Sequence, residues 1–322
     1  MLAKKLANIR TIMFALFVLI IAACGGNEGE RAGSADVGLA EPVVPGSPEP
    51  EEGPPEESEP RVITRQINWG DEQQQFAELY TLAGRSELSP VVVMIHGGCW
   101  QSGYTLNLQG ELSQALAERG LAVWNIEYRS LGNGGEWPVM FQDVAAAIDY
   151  LPQIAVQYQL DLDSLVTMGH SAGGHLALWL ASRNNIDTNS VLFNDNPTAI
   201  RGVITLGGIG NLESPSCSGS ARQIIDRANI SEEELQYRLE NTSPIRMLPT
   251  SVKSLLISGN NDVIVPPEVS QEYVDAALLA GDFSEHLIIE GASHFYLIDR
   301  ESMDITLLVD SVESFLAPNN AN

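Results

Sequence analysis

Short apolar runs alternate with amphipathic stretches from residue 61 to the end of the chain. Apolar runs of about five residues bounded by turn residues are typical of buried strands, and apolar residues three and four positions apart predict helices. This alternation indicates an α/β fold, a mostly parallel sheet with helices on both faces. About eight strands are predicted, over 62–69, 76–81, 91–95, 122–126, 164–168, 202–206, 254–258 and 286–290.

One connection between these strands is longer than the others. Residues 207–250 exceed a simple crossover and contain turn residues and a helix predicted near 232–239. We therefore expect a small cap inserted over approximately 207–250. No period of 20–50 residues recurs, which argues against a repeat architecture. The remaining predicted helices cover 106–119, 139–157, 172–182, 267–280 and 303–316.

The first residues have the pattern of an export signal. Lys4, Lys5 and Arg10 precede an uncharged apolar run of twelve residues that ends at Cys24. A membrane-spanning helix needs about 20 apolar residues, so this run is too short to span. The small residues before Cys24 resemble the lipobox of bacterial lipoproteins, in which the cysteine is diacylated and the preceding residues, here 1–23, are removed. An ordinary secretory signal cleaved near the same place is the alternative.

Residues 24–60 differ in composition from the rest of the chain. They are rich in Gly, Pro, Ser and Glu and contain few aliphatic residues. Such a segment cannot bury enough apolar surface to offset its chain entropy, so we expect a disordered acidic tether that precedes a folded domain over 61–322. The lipobox resemblance implies an exported protein anchored by lipid in the bacterial cell envelope. It favours the outer membrane over the inner, because the residue after Cys24 is Gly25 and not the Asp that marks inner-membrane retention.

Charge and cysteine content limit the partners. The formal net charge is −25, and loss of the signal would make it −28, which argues against nucleic acid or anionic surfaces as partners. An export context permits disulfides. Cys99 and Cys217 fall in predicted loops and are candidates for such a bridge, with free buried thiols as the alternative.

A GxSxG motif lies between a predicted strand and a predicted helix. Gly169, Ser171 and Gly173 form this motif at the end of the strand over 164–168. In this setting the motif is a nucleophile elbow, whose glycines leave room for a sharp turn that exposes the serine hydroxyl. In a chain with 28 glycines the bare string is weak evidence, and its context makes Ser171 the candidate nucleophile.

A second glycine-containing loop follows the strand over 91–95. Acyl transfer passes through a tetrahedral oxyanion, which backbone N–H groups fixed in advance stabilise. Gly98 and Ala172 are the candidate donors, with Gly97 as the alternative to Gly98. A glycine turn without a catalytic role is the other interpretation.

A serine nucleophile needs a base. The chain has five histidines. His96, His170 and His175 belong to the motifs above, and His286 opens a predicted strand whose residues should be buried. His294, just beyond the last predicted strand, is therefore the candidate base.

The base needs a carboxylate to orient it. Asp262 lies on the loop after the predicted strand over 254–258, which gives the chain order Ser, Asp, His that is typical of hydrolases with a nucleophile elbow. Asp282 and Asp299 are the competing candidates, and both are expected to be solvated.

Residues 91–294 resemble the esterase/lipase branch of the α/β-hydrolase superfamily. The motifs at Glu127 to Arg129, at Trp137-Pro138 and around Ser171 are similar to those of acetyl-xylan or feruloyl esterase-like and kynurenine-formamidase-like members. The resemblance implies an α/β-hydrolase fold and hydrolysis of carboxylic esters, short-acyl ones in particular, by a Ser-His-Asp acyl-enzyme mechanism. The substrate would be a small or polysaccharide-linked ester. The chain departs from related sequences at Cys99 and over 207–211.

Three alternatives to ester hydrolysis remain open. An arylformamidase or an exopeptidase would use the same triad, and a catalytically silent binding module would use the same fold. The predicted export favours esters over kynurenine chemistry, which belongs to the cytoplasm. His170 and His175 lack HExxH spacing, so no zinc or other cofactor is expected.

Several side chains near these motifs have two interpretations each. Glu127 and Arg129 could contact the substrate or form an ion pair that braces the elbow. The aromatic residues Trp100, Tyr104, Tyr128 and Trp137 could line a cleft or pack in the interior.

Overall fold

The computed structural model describes residues 61–317. The predicted signal over 1–23, the lipidation candidate Cys24 and the tether over 24–60 lie outside the described residues. Within 61–317, no helix combines the length and apolar character needed to cross a bilayer. The described residues form one compact unit with its own apolar core.

Eight strands form a single, mostly parallel sheet, as the sequence predicts. They are β1 (Val62–Asn68), β2 (Phe76–Leu82), β3 (Ser89–Ile95), β4 (Ala122–Ile126), β5 (Leu160–His170), β6 (Gly202–Leu206), β7 (Lys253–Gly259) and β8 (Ser284–Ile289). Their order is β1-β2-β4-β3-β5-β6-β7-β8. β2 pairs antiparallel with β1 and β4, and all other neighbours are parallel.

Helices cover both faces of the sheet, which confirms the predicted α/β layering. Alternate residues of β3 point to opposite faces. Val91, Val93 and Ile95 therefore pack in one core cluster, and Val92 and Met94 in the other. The helices are α1 (Gly110–Glu118), α2 (Val139–Asp149), α3 (Leu151–Tyr158), α4 (Ala172–Ala181), α5 (Ser218–Ile224), α6 (Glu232–Thr242), α7 (Pro267–Ala280) and α8 (Ile305–Leu316).

The long helix predicted over 139–157 is divided in two. α2 ends at Asp149 and α3 begins at Leu151, with Pro152 in its first turn. Proline lacks the N–H that would continue the hydrogen bonds of α2, so a new helix starts there. β5 also begins four residues earlier than predicted, at Leu160. Its first residues, Leu-Asp-Leu-Asp, did not predict a strand, because aspartate is rare in strands.

The predicted cap contains two helices instead of one. α6 covers the predicted segment and extends it to Thr242. The Ser231 hydroxyl accepts a hydrogen bond from the N–H of Glu234, which caps the start of this helix. α5 was not predicted because its seven residues are too few to show a helical period.

Candidate active site

Ser171 lies on a sharp turn between β5 and α4. Its φ of 54° and ψ of −120° are strained values for a residue with a side chain. A Cβ on Gly169 would collide with the Gly173 carbonyl, and one on Gly173 would collide with the carbonyl of Ile95. Gly169 is thus required for the tight turn itself, and Gly173 for the turn to pack against β3.

His294 and Asp262 are paired beside this turn. Nδ1 of His294 lies 2.6 Å from Oδ2 of Asp262, and both side chains are buried. The backbone N–H groups of Ile264 and Val265 donate to Oδ1 of the same carboxylate, at 2.9 and 2.8 Å. With Nδ1 as the donor to Asp262, Nε2 of His294 can accept a proton.

The environment keeps Asp262 ionised. Burial alone would raise the pKa of this carboxyl, but the hydrogen bonds from His294 and from two backbone N–H groups outweigh burial and hold the pKa below its usual value. The Asp262 carboxylate therefore has the negative charge that is needed to orient the His294 imidazole and to stabilise its protonated form.

Two features allow His294 to lie beside the nucleophile turn: the glycine at position 207 and the packing of the His170 ring. The Ser171 N–H donates to the Leu206 carbonyl at 2.9 Å, and the next residue, Gly207, has a φ of 60°. A Cβ on Gly207 would lie 3.1 Å from both Asp262 Oδ2 and His294 Nδ1, so the absence of a side chain allows this close approach. On the other side, the His170 ring lies 4.4 Å from the His294 ring. Within residues 61–317 the Ser171 hydroxyl makes no hydrogen bond. The hydrogen bond between a nucleophile and its base often forms fully only when substrate binds.

The predicted oxyanion donors are free. Among the described residues, no hydrogen bond uses the N–H of Gly97, Gly98 or Ala172. Ala172 is the first residue of α4, where the helix dipole favours negative charge. Gly98 has a φ of 107°, in the region that glycine adopts at little cost.

A buried network that the sequence analysis missed supports the oxyanion loop. The His96 ring stacks on Tyr128 at 4.3 Å between centroids, and its Nε2 lies 3.2 Å from Glu127 Oε1. The Tyr128 hydroxyl donates to the His96 carbonyl at 2.8 Å. Glu127 and Arg129 do not pair with each other; Arg129 instead forms a two-point ion pair with Asp143.

A disulfide between Cys99 and Cys217 joins the oxyanion loop to the cap. Their Cα atoms are 5.5 Å apart, and Cys217 immediately precedes α5. Cys99 and Trp100 have φ angles of 49° and 58°, so two consecutive residues with side chains are held in the left-handed region next to Gly98.

A later part of the cap, at Asn241 and Thr242, is attached to α4. Nε2 of His175 bonds to the Thr242 carbonyl and Nε1 of Trp179 to the Asn241 carbonyl, both at 2.9 Å. Trp100 is fully buried with its ring 5.3 Å from that of His175, so it packs in the interior and does not line a cleft.

Two expectations about the competing residues are wrong. His286 is only half-buried, because it lies on β8, the edge strand of the sheet. Asp282 is buried and not solvated, since its carboxylate accepts hydrogen bonds from the N–H groups of Thr250 and Ser251 at the end of the cap. Asp299 is exposed, as expected. In the part of the chain that the structure describes, no three metal-ligating side chains cluster.

The buried histidines should make stability depend on pH. Burial and the neighbouring His294 lower the pKa of His170 to about 3, and burial lowers the pKa of His175 to about 4. As pH falls from 6.5 to 4, the unfolded chain takes up protons on these residues before the native state does. The free energy of unfolding should therefore decrease, by roughly 1 kcal/mol per pH unit for each histidine.

Urea unfolding between pH 4.5 and 6.5 measures this slope. His175→Gln keeps a donor for the Thr242 carbonyl but cannot titrate, so its slope should be smaller by roughly 1 kcal/mol per pH unit. The matched control is His286→Gln, at a half-buried position whose lowered pKa should contribute less. Equal slopes for the wild type and His175→Gln would contradict the prediction.

Solved structures similar to this chain include esterases. A truncated carbohydrate esterase from gut microbiota aligns with 82% of this chain and 99% of its own, with a TM-score of 0.67 and 21% identity. Esterase B from Lactobacillus rhamnosis, with a C4-C4 tributyrin phosphonate inhibitor, aligns with 80% of this chain and 86% of its own, with a TM-score of 0.67 and 22% identity. These likenesses establish the α/β-hydrolase fold.

Curated relatives are hydrolases at about a quarter identity. A probable isoprenylcysteine alpha-carbonyl methylesterase from Oryza sativa subsp. japonica is 27% identical over 81% of this chain and 66% of its own length. Esterase LipC from Mycobacterium tuberculosis is 27% identical over 74% and 61%. Kynurenine formamidase from Danio rerio is 24% identical over 73% and 75%. The chain spans between about half and two thirds of the length of the plant relatives that it matches.

The family comparison covers most of the sheet and the candidate site. A family model described as BD-FAE matches residues 77–277, from β2 into α7. This range is more than half of the chain and includes the oxyanion loop, Ser171 and Asp262. The chain therefore belongs to the BD-FAE family.

Proposed function

We propose that this protein is a serine-dependent carboxylic-ester hydrolase with Ser171 as nucleophile, His294 as base and Asp262 as orienting acid. The observation that carries the proposal is the 2.6 Å bond between Asp262 and His294 next to a strained nucleophile elbow. Esterases among the curated relatives support the same activity.

The proposed reaction has two halves. His294 Nε2 takes the proton of the Ser171 hydroxyl while Oγ attacks the ester carbonyl and forms a tetrahedral oxyanion. The bond to the alcohol oxygen then breaks, the alcohol leaves with the proton from Nε2, and the acyl group stays on Oγ. Water repeats these steps on the acyl-enzyme and releases the acid.

Backbone dipoles would stabilise both tetrahedral intermediates. The free N–H groups of Ala172 and Gly98, with Gly97 as the alternative to Gly98, are the proposed donors. One such donor is worth about 3 to 4 kcal/mol of transition-state stabilisation. The His96, Glu127 and Tyr128 network supports this role, because it fixes the loop before substrate arrives.

We propose a short acyl group for the substrate. The bound inhibitor of the Lactobacillus esterase, a C4-C4 tributyrin phosphonate, supports this preference by analogy. A panel of p-nitrophenyl acetate, butyrate and octanoate measures it, and faster octanoate hydrolysis would count against it.

A fluorophosphonate probe tests the mechanism without knowledge of the substrate. The probe forms a bond from phosphorus to an activated serine oxygen with loss of fluoride. We expect labelling of the wild type and none of Ser171→Ala, with Ser302→Ala, at a half-buried serine, labelled as the wild type is. A folded wild type that neither reacts with the probe nor hydrolyses any ester would favour a silent binding module.

Amide hydrolysis is the second candidate, because a kynurenine formamidase is among the relatives. The triad would serve either reaction, and an exopeptidase would share it too. An aryl formamide and an amino-acid anilide beside the p-nitrophenyl esters distinguish these activities, and a kcat/KM for the formamide or the anilide above that for acetate would replace the ester proposal.

We also propose that the enzyme is exported and anchored by lipid on Cys24, in the outer membrane. The Cys99–Cys217 disulfide supports export, because such bonds persist in oxidising compartments. Incorporation of radiolabelled palmitate that Cys24→Ala abolishes is the expected result. A soluble, unlabelled wild type would refute the anchor.

A further inference from the structure

Three exposed apolar side chains flank the catalytic acid and base. Val263 is 90% exposed, Ile264 41% and Phe295 49%. Val263 and Ile264 directly follow Asp262, and Phe295 directly follows His294. We call these three residues the apolar lip.

Two members of the apolar lip, Phe295 and Ile264, contact the residues of the site directly. The Phe295 ring lies 5.5 Å from the His294 ring and 5.8 Å from the His170 ring. The N–H of Ile264 donates to the Asp262 carboxylate. The Phe295 ring therefore lies beside the base, and the backbone of Ile264 lies against the acid.

The chemistry of the proposed reaction determines which part of the ester lies there. His294 Nε2 must give its proton to the departing alcohol oxygen, so that oxygen lies against the imidazole in the first half-reaction. The carbonyl oxygen points instead toward the free N–H groups of the oxyanion loop. The alcohol portion of the ester is thus the part that extends past His294 and Phe295.

We infer that the apolar lip is the subsite for the alcohol portion and favours esters of aliphatic or aromatic alcohols over esters of sugars. The inference rests on the proposed ester hydrolysis. None of the three side chains carries a hydrogen-bond donor or acceptor, so sugar hydroxyls covered by them would lose water without a replacement partner. An apolar alcohol would instead cover surface that is otherwise exposed to water.

The charge of the protein argues against a membrane as the occupant. A net charge of −25 disfavours approach to anionic lipid. The sequence from 260 to 299, which contains the lip residues, has no lysine or arginine to attract such lipid. The substrate is the occupant that the mechanism itself brings to this position.

The test holds the acyl group constant and varies the alcohol. For the full-length protein, kcat/KM is measured for methyl, hexyl and benzyl acetate and for a monoacetylated methyl xyloside. We expect benzyl and hexyl acetate to exceed the xyloside by at least tenfold. Phe295→Ala and the double variant Val263→Ser, Ile264→Ser should each lower the ratio of benzyl to methyl acetate about tenfold. Leu279→Ala, at a 91% exposed site on α7, should leave the ratio unchanged.

The outcomes separate the inference from the function on which it rests. Probe labelling of Ser171 with a ratio that the lip variants do not change would overturn the lip alone. No labelling and no ester hydrolysis would overturn both. An unchanged ratio together with weaker binding of the lip variants to phosphatidylcholine vesicles would assign the lip to a bilayer and also overturn the inference.

Discussion

Replacing Asp262 with asparagine should lower kcat for ester hydrolysis about 10⁴-fold while the protein stays folded. Asparagine has nearly the same shape, so packing is preserved. Its amide cannot stabilise an imidazolium, and it can present an N–H₂ group to Nδ1 of His294. The ring would then adopt the tautomer in which Nε2 already carries a proton and cannot accept the one from Ser171.

Steady-state hydrolysis of p-nitrophenyl acetate measures this loss. The matched control is Asp299→Asn, the exposed carboxylate that competed with Asp262 in the sequence analysis, and it should keep full kcat. Thermal unfolding of each variant establishes that it is folded. Full activity of Asp262→Asn would remove this residue from the proposed triad.

Removing the disulfide should lower both stability and turnover. The bond closes a loop with a sequence separation of 118, and loops of that length correspond to about 3 to 5 kcal/mol of unfolding free energy. Without the bond, Cys99 and Trp100 would no longer be held in the left-handed region, and Gly98 would move with them. We expect kcat to fall about 10- to 100-fold, less than or similar to the loss of one complete oxyanion donor.

The double variant Cys99→Ala, Cys217→Ala tests this without leaving a free thiol. Urea unfolding gives the stability, and kcat for p-nitrophenyl acetate gives the turnover. The Asp282→Asn variant is the matched control, because it weakens the hydrogen bonds to Thr250 and Ser251, where the cap ends, without touching the oxyanion loop. A variant that loses stability but keeps wild-type kcat would show that the bond does not position the oxyanion loop.

Local patterns were sufficient to predict the sheet and its layers. Five consecutive apolar residues in β3 identify a strand buried on both faces, and that burial is observed. The division of 139–157 was also predictable, since Pro152 stands inside the predicted helix. α5 was not, because seven residues show too little period.

The candidate site was only partly predictable. Ser171 and Asp262 could be selected from strand ends, which depend on local sequence. His294 was selected by elimination, although one step of that elimination assumed a buried His286 that is half-exposed on the edge strand. The exposure of an edge strand depends on the order of strands, which no local pattern specifies.

Contacts between distant segments account for the rest. The His96–Glu127 bond joins residues 31 apart, and the bond from His175 to the cap spans 67. Their sequence neighbours give no sign of either contact. The apolar lip was missed for another reason: its residues are ordinary in composition, and only their exposure beside the acid and base distinguishes them.

The double attachment of the cap has a consequence for protein engineering. Cys217 ties its start to the oxyanion loop, and Asn241 and Thr242 tie its end to α4. The intervening residues, 218–240, include side chains that are buried in the core, at Ala221, Ile224, Ile225, Leu235 and Leu239. An exchange for the segment of a relative therefore has to keep these positions apolar while both junctions keep their native partners. Chimaeras made this way would change the exposed residues of the cap and leave its two attachments in place.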